Sequence, residues 1–234
     1  MKVYGKEQST YCYENSDVLI NLQNKRNQED LWNFENAETQ KQIQKILSSP
    51  QLTINQFGIS LLIKIHKALF GNVYSWAGHF RTEATSKEGT AFCQPAFIAE
   101  NLKNVAKHLK KHNNYKGQEF GDFVFNLVST HATLNVIHPF REGNGRTNRL
   151  FLTLLARNNG FDLDYSKFPK ELQIEADRMS FEGDNRLLDI MYASITTEMT
   201  PDLQKIHLIG GSKCPDLLSQ NKAINHQKND SRVR

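Results

Sequence analysis

The sequence lacks several features that mark whole classes of protein. Only three of its 234 residues are cysteines, and Cys12, Cys93 and Cys214 are too far apart for a CxxC zinc site and too few for a disulfide framework. No run approaches the roughly 18 consecutive apolar residues that a membrane-spanning helix needs. The first ten residues, MKVYGKEQST, contain no apolar signal core. These absences predict a cytoplasmic protein with reduced thiols, no membrane partner and no export by a classical signal.

Over most of the chain neither positive nor negative charge is in large excess. The net charge is +4. Residues 200–234 contain six basic and three acidic side chains, so this segment carries +3 and the rest only +1. A nearly neutral body predicts no direct nucleic-acid partner, and we expect residues 200–234 to be a basic, flexible tail.

Helical periodicity dominates the remainder, and 38% hydrophobic residues suffice for an ordinary core. Residues 78–92 break this periodicity with short alternating runs and a Lys-Glu-Gly-Thr turn, which predicts a β-hairpin. The pattern thus predicts an all-α domain over residues 1–199 that carries one small β-hairpin flap. The predicted helices cover residues 38–47, 58–69, 95–111, 120–137, 149–158, 169–180 and 186–198.

One segment, HPFREGNGRTNR at residues 138–149, lies between the two most apolar helices. Its glycines precede a helix, where backbone N–H groups and the helix dipole favour a bound anion. Arg146 and Arg149 are three residues apart, so they project from one side of that helix, and arginine suits bidentate contacts to phosphate. The segment therefore predicts a phosphate-binding site.

Two further side chains extend this interpretation to catalysis. Glu142 would be repelled by a polyphosphate unless a cation lay between them, and Mg²⁺ is commonly held by one carboxylate together with phosphate oxygens. His138 can accept a proton near neutral pH. The combination predicts phosphoryl or nucleotidyl transfer.

Other phosphate and hydrolase motifs do not fit. Asn148 stands where a dinucleotide fingerprint needs its third glycine, and no strand precedes the segment. The sequence also contains neither GxxxxGK[ST] nor HExxH.

The segment resembles the HPFx[D/E]GNGRxxR signature of the Fic (Fido) family, and every specified position is matched. The turn Trp76-Ala77-Gly78-x-x-Arg81 and Lys87 are similar to the family as well, and the likeness extends over residues 11–193. It implies a mostly α-helical Fic fold with a β-hairpin flap over the active site. It also implies a protein adenylyltransferase, which transfers AMP from ATP to a Ser, Thr or Tyr hydroxyl of a target protein and releases pyrophosphate.

The resemblance assigns roles to individual residues. His138 is the general base on the target hydroxyl, Glu142 holds Mg²⁺, and Arg149 meets the γ-phosphate of ATP. The implied nucleotide-binding residues are Gly143, Asn144, Gly145, Arg146, Arg149 and Lys87. The flap residues that would align the target segment by strand addition are Lys87, Glu88, Gly89, Thr90 and Phe92.

The resemblance also bears on control. Many family members are inhibited by a helix with the pattern [ST]xxxE[GN], and residues 10–15, TYCYEN, match it. Tyr11 and Tyr13 alternate and a turn-like Asn-Ser-Asp follows, so we expect a coincidence and not an inhibitory helix through Glu14. Ser194-x-x-x-Glu198 is followed by Met199 and departs from the pattern. We therefore expect a bacterial toxin that is inhibited by a separate small antitoxin carrying the pattern.

Two alternatives stay open. An enzyme of the same fold could transfer phosphate or another nucleotide, although the intact Gly145-Arg146 pair and Arg149 favour AMP. A catalytically idle module could use the flap to bind a peptide, although the intact His138 and Glu142 argue against it. The sequence does not identify the target protein. A topoisomerase subunit fits the toxin branch, and a host protein fits if the tail directs export into a host cell.

Overall fold

The computed structural model describes residues 2–3, 8–48, 57–87 and 90–200. Helices account for most of this part of the chain, as the periodicity predicts. The seven α-helices in these ranges are α1 (Gln28–Leu47), α2 (Ile59–Phe70), α3 (Ile98–Lys111), α4 (Phe120–Ile137), α5 (Asn144–Arg157), α6 (Lys170–Phe181) and α7 (Arg186–Ile195). No helix among the described residues is both long enough and apolar enough to cross a bilayer.

Helix α5 is the centre of the core. It packs against α2 on one side and α4 on another. Ten of its 14 residues are buried, and Leu152, Leu155 and Ala156 have no exposed surface. A helix that is buried almost all round must be enclosed by other elements. Because the segment of residues 138–149 runs directly into α5, its loop is anchored to a helix in the core.

The turn between α4 and α5 is shorter than the sequence suggested. Helix α4 has the predicted bounds and ends at His138, which adopts a left-handed conformation (φ 46°, ψ 61°). Helix α5 begins at Asn144, five residues before the predicted start at residue 149, so the loop is only residues 138–143. The prediction was wrong because residues 144–148 are polar, although Asn144, Thr147 and Asn148 are buried.

The predicted start of α1 and the predicted end of α7 also differ from the structure. Helix α1 begins at Gln28, ten residues before the predicted start, because Asn27 Oδ1 caps it by accepting from the N–H groups of Glu29 (2.8 Å) and Asp30 (3.1 Å). Helix α7 stops at Ile195. Residues Thr196–Glu198, predicted as helix, form a strand that pairs antiparallel with Phe161–Leu163.

The predicted hairpin is present. Strands Thr85–Lys87 and Thr90–Ala91 pair antiparallel with Ser86 opposite Ala91. A third strand, Lys2–Val3, pairs with the outer edge of the first of these, which the sequence did not predict. In chain order the strands are β1 (Lys2–Val3), β2 (Thr85–Lys87), β3 (Thr90–Ala91), β4 (Phe161–Leu163) and β5 (Thr196–Glu198). The predicted tail lies outside the described residues from position 201 onward.

Candidate active site

His138 occupies the end of α4 in an orientation set by its own backbone. Its N–H donates to the carbonyl of Leu134 (3.1 Å), which closes the last turn of the helix. Its Nδ1 lies 3.3 Å from the carbonyl oxygen of Asn135. A carbonyl only accepts, so Nδ1 is the donor in this contact and Nε2 is the ring nitrogen left to accept a proton.

The flap reaches this histidine through Phe92. The phenyl ring stacks on the imidazole of His138 with centroids 3.7 Å apart and planes 15° apart. Phe92 is only 7% exposed, since Phe181 also packs against its other side in an edge-on contact. Its N–H donates to Thr85 across the hairpin (3.0 Å). The flap is therefore attached directly to the face of His138.

Arg81 ties the turn before the flap to the motif. Its Nε donates to the carbonyl of His138 (2.7 Å), and its backbone N–H donates to Pro139 (2.9 Å). Its Nη atoms donate to the carbonyls of Glu83 and Cys93. Only 2% of Arg81 is exposed, so its role is to hold the loop and not to meet a ligand.

Asn144 and Gly143 shape the loop itself. The Asn144 amide donates to the Phe140 carbonyl and accepts from the Phe140 N–H, both at 2.8 Å. Gly143 has φ +80°, and a Cβ there would lie 2.2 Å from Cζ of Phe70. Glycine is required at this position both by the backbone conformation and by the aromatic ring beneath it.

His66 of α2 supports the loop from below and was missed by the sequence reasoning. The ring is fully buried, stacks on Phe140 at 3.8 Å, accepts from the N–H of Gly78 (2.8 Å) and donates to the carbonyl of Glu142 (3.0 Å). Burial lowers the pKa of His66 to about 3, so it is neutral in the folded protein.

The Glu142 carboxylate points toward solvent. Its side chain is 40% exposed, and Oε1 accepts from the N–H of Gly143 (2.8 Å). The described residues contain no cluster of three or more His, Cys, Asp or Glu side chains that could enclose a metal ion. The donor set thus suits a cation that shares one carboxylate with ligand oxygens, and it does not suit a cation caged by protein alone.

The two arginines of the motif differ in their surroundings. Arg146 is bound by helix α1: its Nη2 donates to Glu35 Oε1 (2.5 Å) and its Nη1 to Asn36 Oδ1 (3.2 Å). The other oxygen of Glu35 accepts from the Tyr74 hydroxyl. Burial and the Glu35 charge both raise the pKa of Tyr74, so this phenol remains a donor. Neither Glu35 nor Tyr74 was predicted as part of the site.

The surroundings of Arg149 are different. Its half-buried guanidinium lies over Gly145, where an added Cβ would be 3.3 Å from Nη1. Within the described ranges no carboxylate oxygen lies within 4.0 Å of it. Its charge instead faces the buried phenols of Tyr165 and Tyr192. Burial raises the pKa of both phenols, and Arg149 opposes that rise.

The structure brings most of the predicted site residues together at one end of α5. His138, Glu142 and Gly143 share the loop, Asn144, Gly145, Arg146 and Arg149 follow in the first turns of α5, and Phe92 covers the histidine. His131, predicted to be a core histidine, is buried between Tyr192 (2.8 Å) and Asp177 (3.0 Å). Glu88, Gly89 and the side chains of Lys87 and Thr90 lie outside the described part of the chain.

Known proteins with similar sequences define the class of this one. The Fic/DOC family profile matches residues 56–156. A probable protein adenylyltransferase of Sinorhizobium fredii is 32% identical over 182 residues, which cover 77% of this chain and 92% of that protein. A probable protein adenylyltransferase of Escherichia coli K12, named Fic, is 27% identical over 195 residues, covering 83% and 96%. The chain belongs to the Fic/DOC family.

Solved structures agree with this assignment. BepC of Bartonella tribocorum with bound AMPPNP matches with a TM-score of 0.75 and 26% identity, covering 81% of this chain and 97% of that one. A Fic domain of Bartonella quintana with bound ADP matches with a TM-score of 0.72 and 27% identity, covering 82% and 96%. The family and fold inferred from the sequence are confirmed, and the chain is an enzyme of the nucleotidyltransferase class.

The packing of Gly143 gives a first prediction. Gly143→Ala should destabilise the protein by about 1–3 kcal/mol more than Gly160→Ala. Gly160 is the matched control because its φ is +82° and no atom lies within 4 Å of an added Cβ, so it carries the backbone strain without the clash against Phe70. Denaturant unfolding of both variants measures the difference. Equal losses would show that the Phe70 ring moves aside at little cost.

The buried His66 gives a second prediction. Its folded-state pKa is about 3 and its unfolded value about 6.5, so the unfolded chain binds more protons between these values. Stability should therefore fall as pH drops below about 6.5. From pH 7 to pH 5 this group contributes a loss of about 2 kcal/mol. Unfolding of the parent and of His66→Gln at both pH values isolates the contribution of His66 to stability. Equal pH dependence in the two proteins would contradict the lowered pKa of His66.

Proposed function

We propose that this protein transfers AMP from ATP to a Ser, Thr or Tyr hydroxyl of a target protein and releases pyrophosphate. The observation that carries the proposal is the placement of His138, with Nε2 as its basic nitrogen, one short loop away from the start of α5. The relatives named as protein adenylyltransferases and the related structures with bound AMPPNP or ADP support the same reaction.

His138 acts on the incoming hydroxyl. Nε2 takes the hydroxyl proton while the oxygen attacks the α-phosphorus of ATP, and the bond from that phosphorus to the bridging oxygen breaks to release pyrophosphate. The contact from Nδ1 to Asn135 fixes the tautomer that this step needs. Phe92, stacked on the ring, restricts its rotation, and the flap strands beside it offer an edge to the target segment.

The start of α5 is the anion site. The N–H of Thr147 makes the first bond inside the helix, to Gly143 (3.0 Å), so the preceding N–H groups of Asn144, Gly145 and Arg146 have no acceptor within it. These groups and the positive end of the helix dipole suit the phosphate chain of ATP. Arg149, one turn further on, supplies a cation for the γ-phosphate.

A magnesium ion fits beside this anion site. Glu142 is partly exposed and accepts a hydrogen bond from the N–H of Gly143 through Oε1, and the described residues contain no group of three or more His, Cys, Asp or Glu side chains that would enclose the ion without ligand oxygens. Glu142 would hold the ion together with phosphate oxygens. When bound, Mg²⁺ supplies positive charge that offsets the negative charge of the phosphates.

Control by a separate inhibitor is also part of the proposal. The segment that matches the inhibitory pattern is a turn followed by a single bridge between Cys12 and Leu19, with no helix. Thr10 bonds to Glu83 through both its N–H (2.9 Å) and its hydroxyl (2.5 Å), and Glu14 is exposed. We therefore place the inhibitory glutamate on a small antitoxin, which would occupy Arg149.

The remaining assignments follow the same hypothesis. We propose that residues 1–199 are the Fic domain and that the protein works in the bacterial cytoplasm as a toxin. Export into a host cell is the alternative location. Mass spectrometry of a modified target separates AMP transfer from phosphate transfer, since AMP adds far more mass.

Replacing the base tests the reaction. His138→Ala should lower AMP transfer by about 10²–10⁴-fold, because a positioned general base contributes that much. The affinity for ATP should remain near the parent value, since the imidazole contacts the hydroxyl of the target protein and not ATP. Labelled ATP in a lysate measures transfer, and calorimetry measures binding. His112→Ala, at an exposed position at the end of α3, is the control. Activity within a few-fold of the parent would remove the assigned role.

Replacing Glu14 tests the mode of control. Glu14→Gly should change the activity of the purified chain less than twofold, because this side chain is exposed in a turn. If Glu14 were an internal inhibitor, its removal would free Arg149 and raise activity by orders of magnitude. Auto-modification with labelled ATP distinguishes the two results, with Glu29→Gly in the exposed first turn of α1 as the control.

A further inference from the structure

Two carboxylates compete for the guanidinium of Arg146. Glu35 Oε1 lies 2.5 Å from Nη2, and Glu142 Oε1 lies 3.7 Å from the same nitrogen. The Glu35 side chain is 6% exposed, whereas that of Glu142 is 40% exposed. Arg146 therefore bonds to the buried carboxylate and stops short of the exposed one.

The structure shows why Glu35 holds Arg146 so firmly. Tyr74 donates to the second oxygen of Glu35, so both oxygens are engaged. Asn36, the next residue of α1, accepts from Nη1 of Arg146. The Phe70 ring lies 4.8 Å beneath the guanidinium. A pair that is buried and hydrogen-bonded on both sides is costly to break, because either partner alone would be an uncompensated buried charge.

We propose that Glu35 is a positioning residue that holds Arg146 at 3.7 Å from Glu142, an ion pair without a close hydrogen bond, so that the Glu142 carboxylate stays available to a divalent cation. This inference rests on the proposed role of Glu142. Without the negative charge of Glu35, Glu142 is the one other carboxylate within 4.0 Å of Arg146 among the described residues. The guanidinium then needs to move only about 1 Å to make a charge-assisted hydrogen bond with Glu142. A carboxylate in such a bond is a poorer ligand for Mg²⁺.

Helix α1 thereby becomes part of the active site. Glu35 lies 111 positions before Arg146 in the chain, and nothing in the motif requires a carboxylate on a distant helix. Its contribution is indirect, because Glu35 touches neither the loop glycines nor His138 in the described contacts. Loss of the Glu35 carboxylate should therefore alter the Mg²⁺ dependence of ATP binding and not the action of His138 as the base.

The test measures ATP binding to the full chain by calorimetry at increasing concentrations of Mg²⁺. Glu35→Gln keeps the shape of the side chain and removes its charge. We expect it to need roughly tenfold more Mg²⁺ for half-maximal ATP binding, the size of one lost charge-assisted contact. ATP binding in the presence of a chelator should be unchanged within twofold, because the helix terminus and Arg149 are untouched.

Glu38→Gln is the matched control. Glu38 lies one turn further along α1, where its carboxylate accepts from Gln42 (2.7 Å) and Asn72 (2.8 Å), away from Arg146. It should leave the Mg²⁺ requirement unchanged. Glu35→Asp, which keeps the negative charge, should have a Mg²⁺ requirement close to that of the parent. If Glu35→Gln folds poorly in thermal unfolding, Tyr74→Phe replaces it, since it loosens Glu35 and should shift the Mg²⁺ requirement in the same direction by a smaller amount.

The outcomes separate the two levels of the hypothesis. A parent chain whose ATP binding ignores Mg²⁺ would remove the cation from the proposed function. A parent that depends on Mg²⁺, together with equal Mg²⁺ requirements in Glu35→Gln and Glu38→Gln, would overturn the role of Glu35 alone. A shift that persists in a Glu142→Ala background would also overturn it, because the effect would not act through Glu142.

Discussion

The six-residue turn from His138 to Gly143 is the constraint on which the site depends. It joins the two helices that contribute most to the core, so its ends cannot drift apart. Inside it, the left-handed backbone of His138 and the positive φ of Gly143 reverse the chain sharply. Such conformations are costly alone and persist where neighbours fix them. Arg81 and Asn144 provide that fixation by bonding to the backbone of residues 138–140.

Two polar side chains beneath the turn, His66 and Arg81, are buried and paired. His66 is neutral and bonds to backbone groups of two segments, and Arg81 donates to four carbonyls. Buried donors of this kind are expensive to leave without partners, so they select one arrangement of the loop. These contacts form a floor, above which His138, Glu142 and Arg149 remain partly exposed.

The sequence predicted the fold class, the flap and the catalytic motif because each has a local signature. The buried residues of α4 recur at helical spacing from Phe123 to Ile137, and the bounds of this helix were predicted correctly. Other features have no local signature. Glu35 and His66 reach the motif from 111 and 76 positions away, and in the sequence each resembles an ordinary helical residue. The predicted start of α5 was too late because the first buried residues of this helix are polar.

The two arginines of the motif illustrate how position decides role. They are three residues apart on one helix, and their spacing alone suggests equal functions. Arg146 points toward α1, where the buried carboxylate of Glu35 largely neutralises it. Arg149 points over Gly145, where the absence of a side chain leaves room and no acidic group among the described residues competes. Under the proposed function, the triphosphate of ATP would bind at Arg149, the motif arginine that no carboxylate among the described residues pairs with, and an acidic inhibitor would have to occupy the same guanidinium to exclude it.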